Sequence, residues 1–152
     1  MLVSLEQASQ VQALLEKHPD LEASEALLTA VSKDNLTLTS WLLEKNSHIN
    51  YQRSEDQRTA LYIAVCADNY EMTKVLLAHQ ANPDIQDGDG WTPLMDAVFH
   101  TNKPMIELLL SHKANISLRD KENKTALEMA KSANNQEIIS LLNQYNNSLK
   151  RK

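Results

Sequence analysis

The sequence predicts an all-α repeat solenoid of about four helix-turn-helix units, and three observations carry that prediction. A short pattern occurs as Thr59-Ala-Leu-Tyr-Ile-Ala64, Thr92-Pro-Leu-Met-Asp-Ala97 and Thr125-Ala-Leu-Glu-Met-Ala130, with a spacing of 33 residues both times. A second landmark keeps the same register, in Val75-Leu76-Leu77, Leu108-Leu109-Leu110 and Leu141-Leu142-Asn143. Only two glycines, four prolines and one phenylalanine stand in 152 residues, which favours helices joined by short turns over a glycine-rich sheet.

A shift of 34 recovers a weaker copy, Glu25-Ala-Leu-Leu-Thr-Ala30 with Trp41-Leu42-Leu43, so the extra residue falls between Leu43 and Thr59. Inner helices are expected near 25–33, 60–67, 93–100 and 126–133, with outer helices near 37–45, 70–79, 103–112 and 136–144. Thr59, Thr92 and Thr125 suit inner-helix N-caps, and Thr125 with Glu128 has capping-box spacing. Pro93 and Pro104 sit in first turns, where a missing N–H is harmless. Asn35, Asn69, Asn102 and Asn135 form a column between the two apolar stretches. Asparagine tolerates left-handed backbone, so this column is expected at the inter-helix turn.

A helix pair of this size cannot bury its apolar face alone, so neighbours must stack and the ends must be polar. Residues 4–17, with Leu5, Ala8, Val11, Leu14 and Leu15 on one face, read as an N-terminal capping helix. Asn143, Gln144, Asn146 and Asn147 read as a C-terminal cap. The expected organisation is one domain over 1–152. It comprises a cap at 1–20, repeats at 24–57, 58–90 and 91–123, a last repeat with its cap at 124–147, and a basic tail at 148–152.

The hydrophobic fraction of 42% is enough to bury a shared core. The first residues lack a signal peptide's basic and apolar regions, and no window approaches 18 apolar residues, so a cytoplasmic protein without a membrane partner is expected. One cysteine, Cys66, gives neither a disulfide framework nor a metal cluster. The net charge of -5 conceals an asymmetry. Residues 1–100 hold six Lys/Arg against fifteen Asp/Glu, and residues 101–152 hold nine against five. This is the wrong field for nucleic acid, which needs a basic surface. Lys150-Arg151-Lys152 reads as a solvated helix terminus.

The stretch Ala81-Asn-Pro-Asp-Ile-Gln-Asp87-Gly-Asp-Gly90-Trp-Thr-Pro-Leu94 resembles the finger and the Thr-Pro-Leu-His motif of the ankyrin-repeat family, whose period is 33. The resemblance covers residues 24–147. It implies a β-hairpin finger, a short inner helix, a turn and a longer outer helix in each repeat, with a concave face that binds proteins. Several positions depart from the family pattern. Asp34, Asp68, Thr101 and Asn134 replace glycine between the helices, and Asn46, Gln80 and Lys113 replace it after the outer ones, so backbone strain is expected. Tyr62, Met95 and Glu128 replace the motif histidine, so its hydrogen bonding to finger backbone is expected to be lost. The finger Tyr51-Gln-Arg-Ser-Glu-Asp-Gln57 carries the insertion.

On that fold, equivalent residues of adjacent repeats lie about 10 Å apart and form rows. One row joins Glu55, Asp56 and Arg58 to Gly88, Asp89 and Trp91, then to Lys121, Glu122 and Lys124. A second joins Ser32 and Lys33 to Cys66 and Ala67, then to Phe99 and His100, then to Ser132 and Ala133. Trp91, Phe99 and His100 are the candidate anchors, since a large exposed aromatic suits that role. Asp84, Asp87, Asp89 and Asp96 concentrate negative charge. Asp87 is expected to support its own turn, while Asp89 and Asp96 favour a basic partner. His79 and His112 are expected on the surface, and no metal or cofactor is expected.

The function expected is protein binding through fingers and inner helices, as an adaptor or inhibitor of a basic partner and a monomer when free. The alternative is an immunity-type inhibitor of a bacterial toxin or nuclease. A remoter reading is an enzyme that uses Cys66 and His100, for which no orienting third residue is evident.

Overall fold

Each recurring threonine turns extended backbone into a helix. Thr59, Thr92 and Thr125 hold φ of -89°, -88° and -87°, and each hydroxyl accepts the N–H three residues on, from Tyr62, Met95 and Glu128, at 3.2 Å. These bonds satisfy N–H groups that the first helical turn otherwise leaves without partners. The computed structural model describes residues 21–45 and 48–151, so the capping helix expected over 1–20 lies outside the described residues.

Eight helices and no strands occur among the described residues. The inner helices are α1 (Leu21–Ser32), α3 (Ala60–Cys66), α5 (Pro93–Phe99) and α7 (Ala126–Ser132). Their outer partners are α2 (Leu36–Glu44), α4 (Tyr70–Ala78), α6 (Lys103–Ser111) and α8 (Gln136–Lys150). The chain divides into two compact units at Ala81 and Asn82, each with two helix pairs. In the first unit α1 packs on α2 and α3, and α3 on α4. In the second α5 packs on α6 and α7, and α7 on α8. The all-α repeat fold is as expected. The β-hairpin of the fingers is not formed as strands among the described residues, and α8 runs on through the cap and into the tail.

The apolar columns of the repeat are the core. Leu27, Leu61 and Leu94 are all buried, with Leu42, Leu76, Leu109 and Leu142 from the outer helices. Leu127, expected with them, is only half-buried.

The asparagine column does a different job from the one its position suggests. Left-handed backbone falls one residue earlier, at Asp34, Asp68, Thr101 and Asn134, with φ between 54° and 55°. Asn35, Asn69, Asn102 and Asn135 instead cap the outer helices, their side chains accepting the N–H of Leu38, Met72, Met105 and Ile138. Each asparagine N–H also closes the preceding helix by donating to Ala30, Ala64, Ala97 or Ala130, while the left-handed residue donates to Val31, Val65, Val98 or Lys131. This paired closure ends the inner helix and aims the chain into the outer one. Gln80 and Lys113 close the outer helices in the same way, at φ of 66° and 64°.

Asn46 lies outside the described residues; at the other six positions the missing glycines leave the expected strain in place. It is greatest at Thr101, because a β-branched side chain fits left-handed backbone worst. Thr101→Asn, the residue that Asn134 supplies at the same turn of the next repeat, is expected to stabilise the fold by about 0.5–1 kcal/mol. Thermal unfolding followed by circular dichroism should show a midpoint raised by about 1–4 °C. A lowered midpoint would contradict the strain assignment.

Candidate functional site

The fingers are tight turns organised by carboxylates. In the second finger Asp87 Oδ1 accepts the N–H of Asp89 at 3.0 Å and of Trp91 at 2.9 Å, while Asp87 N–H donates to Trp91 O at 2.8 Å. In the third, Asp120 Oδ1 accepts from Glu122 at 2.9 Å and Lys124 at 2.8 Å, and Asp120 N–H donates to Lys124 O. Asp87 and Asp120 are both buried, so the turn-supporting role expected of Asp87 is the one it has.

Gly90 closes the second finger at φ 82°, and a Cβ there would stand 2.9 Å from Lys121 N and 3.1 Å from Asp120 Cα. The third finger lies directly against it, with Lys121 N–H donating to Asp89 O at 3.1 Å. At the equivalent position of the third finger, Asn123 adopts φ 64°.

The motif histidine's work is divided among other side chains. Met95 Sδ and Glu128 Oε2 turn back to accept the N–H of their own caps, Thr92 and Thr125. Gln86 links the two fingers, its Nε2 donating to Gly90 O and to Arg119 O at 2.7 Å. Gln86 was not singled out by the sequence pattern, because nothing in its type or spacing marks it as a bridge.

The first finger accommodates its extra residue with a different carboxylate. Arg53 N–H donates to Arg58 O, and Asp56 Oδ1 accepts both Arg58 N–H and Arg53 Nε at 3.1 Å. The hydrogen bond from Arg53 holds the Asp56 carboxyl below the ordinary aspartate value. The Arg58 guanidinium lies 5.0 Å from the centroid of the buried Tyr62 ring. Asp56 and Arg58, expected on the binding row, thus have structural work in their own finger. Glu55 remains exposed, 3.8 Å from Arg53 Nε. An open groove of about 230 Å³ in this unit is lined by Glu25, Leu28, Thr29, Ser32, Arg53 and Glu55.

In the second unit the candidate anchors come together. The rings of Trp91 and Phe99 have centroids 5.3 Å apart at 64°, and those of Phe99 and His100 are 5.2 Å apart at 84°. Trp91 is half-buried, whereas Phe99 is 64% exposed, the most of any large apolar side chain among the described residues. His100 Nδ1 lies 3.0 Å from Asp96 O and 3.4 Å from Asp96 Oδ2. A carbonyl can only accept, so the ring carries its proton on Nδ1.

Two acids expected to face a partner are placed differently. Asp89 is exposed, and its carboxylate makes no ion pair among the described residues. Asp96 is only 6% exposed and lies against His100, so its charge belongs to the interior of the repeat rather than to an open acidic face. Lys121, Glu122 and Lys124 are exposed, with Lys124 Nζ 2.6 Å from Glu122 Oε2. That bond raises the Lys124 pKa. Cys66 is exposed at the end of α3. His79 and His112 are exposed as expected, each ring held by a carbonyl of its own helix. Among the described residues no group of three or more His, Cys, Asp and Glu could hold a metal ion. No helix among them is long and apolar enough to cross a membrane.

Residues 1–87 and 69–152 match the family model for ankyrin repeats. Over 64 residues the chain is 41% identical to the potassium channel AKT1 of Oryza sativa, covering 42% of this chain and 7% of the channel. It is 38% identical over 76 residues to regulatory protein NPR6 of Arabidopsis thaliana, covering 49% of this chain and 16% of that protein. It is 31% identical over 75 residues to the 2-5A-dependent ribonuclease of Homo sapiens, covering 49% of this chain and 10% of the ribonuclease. The chain thus spans only a small part of the length of these relatives.

The contrast between the two acids is measurable. Asp96→Lys puts a cation in a buried site beside His100 and should cost about 3–5 kcal/mol, whereas exposed Asp89→Lys should change stability by no more than about 0.5 kcal/mol. Urea unfolding of both variants checks this. Equal midpoints would show that Asp96 has no interior role.

Proposed function

This chain belongs to the ankyrin-repeat family, and from that premise we propose that it is a protein-binding module whose anchor is the aromatic cluster of the second unit. Ankyrin repeats are in general modules of protein–protein interaction. The single observation that carries the reading is Phe99. Its ring stands 64% exposed at the end of an inner helix whose other six residues are all buried. The part of the ring left in water adds nothing to the fold, and a partner that covers it supplies the missing burial.

The partner presents a basic surface. Support for this comes from the exposed Asp89, two residues before Trp91 on the same turn, and from the excess of acids over residues 1–100. Such a field accelerates encounter and sets orientation more than it deepens affinity. The role is that of an adaptor or inhibitor in a reducing, cytoplasmic setting, the compartment that suits an exposed Cys66 thiol.

Affinity capture from native lysate compares the wild-type chain with an Asp89→Lys, Trp91→Ala variant. Asp96 is left intact because it is buried. A partner recovered by the wild type and lost by the variant, at unchanged helicity, is the expected result. Undiminished recovery by the variant would remove the binding surface from this cluster.

A further inference from the structure

We infer that the corner between Trp91 and Phe99 receives the guanidinium group of an arginine side chain on the partner protein, an assignment that rests on the protein-binding reading above. Three rings stand edge to face in sequence, at 64° between Trp91 and Phe99 and at 84° between Phe99 and His100. In that arrangement one ring's edge meets its neighbour's face, so the cluster does not close on itself and π surface stays open at Phe99. An open aromatic face attracts a cation, and a planar, weakly hydrated guanidinium stacks there better than a compact ammonium.

The rest of the chain shows what such rings do when a cation is at hand. Lys45 Nζ stands 5.8 Å from the Trp41 ring centroid, and the Arg58 guanidinium stands 5.0 Å from that of Tyr62. Among the described residues no cation of the chain covers Trp91 or Phe99. Charge is supplied on the same turn. Asp87 Oδ1 accepts the main-chain N–H of both Asp89 and Trp91, so one oxygen holds the backbone from which the exposed acid and the indole project. Lys121 approaches through its backbone N–H, yet its ammonium makes no ion pair with Asp89 among the described residues. A guanidinium has both features that this corner offers a use for, a flat face for the rings and N–H groups for a carboxylate.

The two tryptophans make the test internally controlled. The full-length chain, labelled with nitrogen-15, gives two indole N–H signals, and it is titrated with N-acetyl-arginine amide, N-acetyl-lysine amide and the uncharged N-acetyl-citrulline amide. The arginine amide should move the Trp91 signal saturably and leave Trp41 still, with an affinity at least about threefold above the lysine amide. The citrulline amide should produce no saturable shift, and Asp89→Asn and Phe99→Leu should each weaken the arginine response severalfold while the Trp41 signal stays in place.

Parallel movement of both indoles, or an equal response to citrulline, would overturn the assignment. If the captured partner depends on Asp89 and Trp91 but the arginine amide leaves Trp91 still, the arginine assignment alone falls. If capture is also indifferent to those residues, the protein-binding reading falls with it.

Discussion

A helix of seven residues cannot hold itself together in water, and three of the four inner helices have that length. Isolated helices need about 12–15 residues to approach stability, so α3, α5 and α7 exist because neighbours cover them. Burial shows the dependence. In α5 every residue from Pro93 to Val98 is buried, while in α7, the last inner helix, only Ala126 and Ala130 are. Such a helix has almost no face to spare. What it leaves exposed lies at its end, which is where Phe99 and His100 stand.

The turns make this arrangement regular. Each asparagine of the column serves two helices at once, closing one with its N–H and opening the next with its side chain. The preceding residue takes the left-handed conformation, which Asp, Thr and Asn fill without glycine. The fingers use the same economy, since one Asp87 oxygen orders the turn and sets Asp89 and Trp91 together. The groups that support the fold and the groups that face outward are therefore adjacent in sequence but distinct in role.

This adjacency explains which features were legible in the sequence. The period of 33, the threonine caps and the leucine columns repeat because the backbone demands them, so helix order and most of the core could be read directly. The asparagine column marks the turn between helices but not its own role there, because left-handed tolerance and N-capping select the same residue type and differ by one position. Asp96 and Asp56 looked like surface acids because composition does not register burial. Only the fold shows that one is turned against His100 and the other holds the first finger. Gln86 left no signal, since bridging two fingers depends on where the third finger lies. The Trp91, Phe99 and His100 cluster was legible as residue types in rows, and the structure adds the ring contacts that make a corner of them.

The short inner helices are stable only through their neighbours, and the exposed Phe99 and His100 stand at the end of one of them, outside its buried run. Native-state hydrogen exchange in the second unit, comparing the wild type with Leu94→Ala, tests this most directly. The account predicts that protection falls together in α5 and α7, because the two helices share one opening reaction. Loss of protection confined to α5, with α7 unchanged, would contradict it.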